Sequence, residues 1–79
     1  MKLPRNLKGI VLSESLCRHL GYVRVHQTGS HIILETQEPS HQRIAIPAHK
    51  SLRVGTLHHI LKSVAKHKGI DRQEILDKL

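Results

Sequence analysis

Residues 21–36 read Gly-Tyr-Val-Arg-Val-His-Gln-Thr-Gly-Ser-His-Ile-Ile-Leu-Glu-Thr. Apolar and polar residues alternate on both sides of Thr28-Gly29, the period-two signature of strands rather than of a helix. Residues 22–27 form the first strand of this reading, with Val23 and Val25 on one face and Tyr22, Arg24 and His26 on the other. Residues 31–36 form the second, with Ile32 and Leu34 on its apolar face. Taking Thr28 and Gly29 as a two-residue loop pairs Gln27 with Ser30 and fixes the register. Val25 then opposes Ile32 and Val23 opposes Leu34 on the core side. On the other side His26 opposes His31, Arg24 opposes Ile33 and Tyr22 opposes Glu35.

Upstream, Leu12, Leu16 and Leu20 repeat at every fourth position, and Ile10 and Cys17 widen the same stripe. This spacing predicts a helix over 10–20, closed by Gly21 as a left-handed cap. Cys17 reads as a core filler, since no acid–base partner is fixed beside it in sequence. Downstream, a polar turn over 37–41 leads to a third strand over 42–46, with Ile44 and Ile46 inward and Arg43 and Ala45 outward. Pro47 ends it and opens a basic loop over 47–55. Thr56 reads as the N-cap of a helix over 57–67, with an apolar stripe of Leu57, Ile60, Leu61 and Val64. His59, Lys62 and Lys66 fall on its opposite face, and Gly69 reads as its cap. Asp71-Arg72-Gln73-Glu74 resembles a capping box opening a short helix to Leu79, with Ile75, Leu76 and Leu79 apolar. That helix is short enough to serve docking or weak self-association rather than the core. The order is α-β-β-β-α plus a terminal helix: one two-layer α+β domain spanning 1–79, with helices on one face of three antiparallel strands.

Composition narrows the function classes. The chain has 79 residues, 13 Lys and Arg, 6 Asp and Glu, and a net charge of +7. A domain this small has a thin core. One cysteine rules out an internal disulfide framework. No apolar run approaches the ~20 residues of a membrane span, and the basic start Met1-Lys2-Leu3-Pro4-Arg5-Asn6 leads into no signal-type apolar stretch. A reducing, cytoplasmic setting is the expectation. The charge is concentrated: residues 1–38 sum to +2, residues 39–70 to +6 with no acid at all, and residues 71–79 to −1. Such a block is either a solvated face or a surface for a polyanion. Phe and Trp are absent and Tyr22 is the sole aromatic, which disfavours recognition by base stacking.

Among eight histidines, His31 stands out by its place at the mouth of the hairpin turn on the polar sheet face. Imidazole exchanges protons near neutrality. RNA carries its own nucleophile, the ribose 2′-OH, so its cleavage needs a base, an acid and cations around the phosphate, with no metal or other cofactor. His31 is the candidate base or acid, and His26 across the strand pair is a candidate partner. Gly29 gives the turn its shape, and its amides with the Ser30 hydroxyl are candidate phosphate holders beside His31. Arg24, Lys50, Arg53, Lys62 and Lys66 are the candidate phosphate-binding cations. The histidine spacings contain no metal-ligand motif, and nothing selects the orienting carboxylate of a Ser-His-Asp triad.

Three segments together carry a family resemblance: Gly29-Ser30-His31, then Ile44-Ala45-Ile46-Pro47-Ala48-His49-Lys50, then Arg53-Val54-Gly55-Thr56-Leu57 with Ile60-Leu61. In order and spacing, over about residues 8–68, they resemble the HicA (YcfA-like) toxin family. The resemblance implies a fold similar to the double-stranded RNA-binding domain. It also implies a metal-independent mRNA interferase acting through the histidine of the Gly-Ser-His motif, here His31, and a HicB-type antitoxin partner that covers the site. Many members carry a second histidine directly after the motif, where this chain has Ile32. The tail from Ile70 to Leu79 extends beyond many members. The competing reading is a non-catalytic, basic RNA- or protein-binding module on the same fold, gripping phosphates with the basic block and the His59, Lys62 and Lys66 face.

Overall fold

Two leucine-rich helix stripes and a half-apolar sheet bury one another because none can hide its apolar face alone. The computed structural model describes residues 3–79; Met1 and Lys2, the start of the basic N-terminal stretch, lie outside the described residues. The chain runs α1 (Gly9–Leu20), β1 (Val23–Gln27), β2 (His31–Thr36), β3 (Gln42–Pro47), α2 (Val54–Lys68) and α3 (Arg72–Leu76). The sheet is antiparallel in the order β1-β2-β3. This is the α+β, α-β-β-β-α layout with a short terminal helix that the periodicities predict.

The core is built from Leu12 and Leu16 of α1, Ile32 and Leu34 of β2, Ile46 of β3, and Leu57, Ile60, Leu61 and Val64 of α2. Cys17 is half-buried against it, and burial pushes its thiol up, the expected behaviour of a core filler. Ile10 does not extend the stripe: it is exposed at the start of α1. Gly21 and Gly69 both close their helices in the left-handed region, at φ 74° and 68°, with amides returned to Leu16 and Ala65 carbonyls.

The first hairpin departs from the alternation read in the sequence. Val23 pairs with Glu35 and Arg24 with Leu34, but His26 pairs with Ile33 and Gln27 with Ile32, so the register shifts between Arg24 and His26. Val25 is the extra residue of a β-bulge, and an extra residue reverses which side chains face the core. Val23 and Val25 are therefore exposed, at 61% and 47%, while Tyr22 is buried at 2%. Arg24 follows Tyr22 to the α1 side of the sheet, lining a recess with Glu14, Cys17 and Arg18. The opposition of His26 to His31 is also replaced: His26 lies against Ile33, and Thr28 closes the turn with His31, its amide donating to the His31 carbonyl at 2.9 Å. The loop residues are thus Gly29-Ser30, not Thr28-Gly29.

Three further local expectations are corrected. α2 begins at Val54 with Arg53 as an N-cap that makes no side-chain bond, so Thr56 lies inside its first turn. The Leu57 N–H makes an i→i−4 bond to the Arg53 carbonyl at 2.9 Å, which places the cap at Arg53 rather than at Thr56. Asp71 caps α3 by position alone, without the side-chain bond of a capping box. α3 itself belongs to the core, because Ile75 is fully buried against it.

Polar contacts tie the C-terminal half of α2 to the sheet. The Gln42 amide donates to the Ser63 hydroxyl at 3.2 Å, His67 to the Ser40 carbonyl at 2.8 Å, and Lys68 to Thr36 Oγ1 at 2.9 Å. The Tyr22 hydroxyl donates to Gln42 Oε1, and the Lys68 ammonium sits 5.0 Å from the Tyr22 ring centroid. Burial pushes the Tyr22 phenol up to about 12. Its folded value lies above the unfolded value of about 10, so its stabilisation is complete below pH ~10 and is lost as pH rises toward ~12. As the only aromatic residue, Tyr22 gives an unmixed tyrosinate absorbance. Its titration midpoint is expected well above pH ~10, or merged with alkaline unfolding. An ordinary midpoint with the fold intact would show the phenol to be solvated.

A histidine groove between the third strand and the second helix

The Gly29-Ser30 turn presents His31 outward at the start of β2. Thr28 organises that turn: its Oγ1 accepts the His31 amide at 2.9 Å and the Ser30 amide at 3.3 Å. Those two amides are thereby occupied, so of the expected phosphate-holding donors only the Gly29 amide and the Ser30 hydroxyl are left. The Ser30 hydroxyl lies 3.0 Å from His31 Nδ1. A serine oxygen that accepts Nδ1–H leaves Nε2 as the exchanging nitrogen, and that bond serves both the neutral and the protonated ring. Gly29 does not take a left-handed φ, and a Cβ built there meets nothing within 4 Å. Turn shape does not demand glycine at this position, and a side chain there would stand in open space.

The turn is braced from behind. The Ala48 amide donates to the Ser30 carbonyl at 2.9 Å, and the Gly9 amide donates to the His49 carbonyl at 3.0 Å. Gly9 is needed there sterically, because a Cβ would lie 1.9 Å from the Pro47 carbonyl oxygen. The N-terminus of α1, the loop after β3 and the His31 turn thus form one bonded unit.

His31 opens into a groove of about 390 Å³ lined also by Ala45 and Pro47 of β3 and by Gly55, Thr56, His59 and Ile60 of α2. A second recess of about 260 Å³ continues from it, sharing Ala45, His59 and Ile60 and adding Arg43, Ile44 and Ser63. The two form one track along β3, with His31 near one end and Arg43 near the other. Arg43 is held by Glu35 at 3.5 Å, which also takes His41 at 3.0 Å.

The residues singled out in the sequence distribute unevenly around this track. His31, Ser30 and Gly29 stay together at its mouth. Arg53 caps α2, two residues before Gly55 of the lining, and Lys50 lies two residues beyond Ala48; both are exposed. Lys62 and Lys66 are exposed on α2, three and seven residues beyond His59. Arg24 stands apart, on the α1 side of β1, with its guanidinium on Gln27 Oε1 at 3.1 Å. His26 shares the outer face but does not line the groove. Helical spacing places His59 only on a cationic helix face; that it lines one groove with His31 depends on how α2 docks along β3, which no local spacing encodes. Its neighbour His58 is taken by Arg72 at 2.8 Å. Among the described residues, no three His, Cys, Asp or Glu side chains cluster as metal ligands.

Fold and groove define a class first: a small, basic, two-layer α+β domain with imidazoles lining a track between an edge strand and a helix. The family model for the HicA toxin of bacterial toxin–antitoxin systems matches residues 14–65. More than half of the chain lies in that match, including the His31 turn and the groove wall of α2, and the chain belongs to the HicA toxin family. No curated protein and no solved structure gives a match. Among the described residues no helix is long and apolar enough to cross a membrane.

Proposed function

We propose that this toxin is a metal-independent endoribonuclease, an mRNA interferase, in which His31 moves the proton of RNA cleavage and which a HicB-type antitoxin holds inactive in the cytoplasm. One observation carries the reading. An exposed imidazole has one ring nitrogen engaged by the adjacent Ser30 hydroxyl and opens into a groove about as large as a small-molecule site. In the proposed reaction the ribose 2′-oxygen attacks the adjacent phosphorus, the bond to the 5′-oxygen breaks, and a 2′,3′-cyclic phosphate and a 5′-hydroxyl result. His31 serves as a proton-transfer group. The exposed Arg53 and Lys50 of the loop before α2, and the exposed Lys62 and Lys66 of α2, are the proposed cations for flanking phosphates.

Purified protein freed of antitoxin is expected to cut single-stranded RNA in the presence of EDTA, leaving cyclic-phosphate ends. A deoxyribose at the cleaved nucleotide is expected to block the cut, since it removes the nucleophile. Cutting that stops in EDTA, or that proceeds through the deoxyribose, would sink this chemistry. The second reading, a non-catalytic module, draws on the +6 of residues 39–70. It predicts binding that weakens steeply with salt and RNA that stays intact.

A further inference from the structure

Metal-free cleavage through the 2′-OH has two proton transfers: one from the nucleophile and one to the leaving 5′-oxygen. A groove that holds a single imidazole provides for one of them. Here two imidazoles line the same groove, His31 from the start of β2 and His59 from α2.

The remaining histidines are committed elsewhere or lie off the track. His41 is bonded to Glu35, His58 to Arg72, and His67 to the Ser40 carbonyl. His19 lies by Lys78 and Leu79 beside α1. His26 and His49 do not line either recess. His59 makes no side-chain hydrogen bond among the described residues, is exposed, and borders both recesses, so it stands at the middle of the track rather than at an end.

We propose that His59 is the second catalytic residue, the general acid that protonates the leaving 5′-oxygen while His31 takes the 2′-OH proton. The inference rests on the endoribonuclease reading and deepens it. The roles follow from the surroundings. Ser30 Oγ, 3.0 Å from Nδ1, can accept Nδ1–H, and in that tautomer Nε2 of the neutral His31 ring is a proton acceptor, the form a base needs. Among the described residues no side-chain hydrogen bond fixes either nitrogen of His59, so the ring can turn either one to the leaving oxygen. Arg43 lines the same recess and Lys62 lies one turn further along α2, so cationic side chains stand near His59 where a phosphodiester would bind.

Electrons and protons balance with no co-reactant. The bond from the 2′-oxygen to phosphorus forms and the bond from phosphorus to the 5′-oxygen breaks. The 2′-OH proton ends on His31 and the His59 proton ends on the 5′-oxygen. Solvent returns both rings to their starting forms.

The test compares wild type, His59→Ala and His59→Gln on two diribonucleotide substrates of the same sequence. One has the natural 5′-oxygen leaving group, and the other a bridging 5′-sulfur, which departs as thiolate without needing a proton. On the oxygen substrate both variants are expected to lose about 10²–10⁴-fold in kcat, the worth of a general acid. On the sulfur substrate they are expected to approach wild type, a rescue that a merely structural or phosphate-binding role would not give. Wild-type cleavage of the oxygen substrate with undiminished rates in both variants overturns the role of His59 and leaves the endoribonuclease reading standing. Equal losses on both substrates also overturn the acid role. A wild type that cuts neither substrate overturns the endoribonuclease reading, and this one with it.

Discussion

Replacing His31 by alanine is expected to lower RNA cleavage by about 10²–10⁴-fold, the range over which a positioned proton-transfer group acts. On induced expression in the absence of antitoxin, the same variant is expected to permit growth where wild type arrests it. The side chain is exposed and bonds only to Ser30, so its loss leaves the core untouched. Stability is expected to change by no more than about 0.5 kcal/mol, as for an ordinary surface substitution. Its effect on RNA affinity is expected to be small, because Lys50, Arg53, Lys62 and Lys66 all remain. Growth and RNA ends followed together, with a denaturation curve of the purified variant, make the check. If His31→Ala still cuts RNA and still arrests growth, the proton-transfer role belongs to another residue.

The second large effect is expected at Gly9, distant in sequence from every candidate catalytic group. Gly9→Ala places a Cβ 1.9 Å from the Pro47 carbonyl oxygen, and 3.0 Å from the Pro47 carbonyl carbon. The obstacle is backbone, so no side chain can swing away. Either α1 or the loop after β3 must move, and the bond from the Gly9 amide to the His49 carbonyl is strained or lost with it. Overpacking of this kind costs about 1–3 kcal/mol, and a backbone obstacle belongs at the upper end. For a domain this size about 3 kcal/mol corresponds to a fall in Tm of roughly 12–24 °C. Activity is expected to fall further than residual folding accounts for, because the displaced loop carries Ala48, whose amide holds the Ser30 carbonyl behind His31. A Gly9→Ala protein with wild-type Tm would show that the approach relaxes freely.

Much of this architecture can be read from residue order. The leucine stripes at Leu12, Leu16, Leu57 and Leu61 and the glycines at 21 and 69 mark both long helices and their ends, because burial and left-handed caps are local demands. The first hairpin could not be read the same way. Val23 and Val25 alternate as a core face should, yet the bulge at Val25 turns them to solvent and Tyr22 inward. The chain's only aromatic ring buries more apolar surface than a valine, and Gln42 and Lys68 satisfy its hydroxyl and ring. That gain depends on residues 20 and 46 positions away. The site divides along the same line. His31, Ser30 and Gly29 are contiguous and legible. The pairing of His31 with His59 exists only once α2 lies along β3, and Arg24, legible as a cation, is carried by the bulge to the wrong side of the sheet.

The groove's two walls also set a schedule. One wall, with His31, is synthesised first; the other, with Gly55, Thr56 and His59, comes later in the chain. Docking of α2 further draws on Ser63, His67 and Lys68, later still. A chain translated only as far as β3 therefore carries its Gly-Ser-His turn without the opposite wall. The long-range closure that hides half of the site from sequence reading also delays assembly of the groove until α2 has been made.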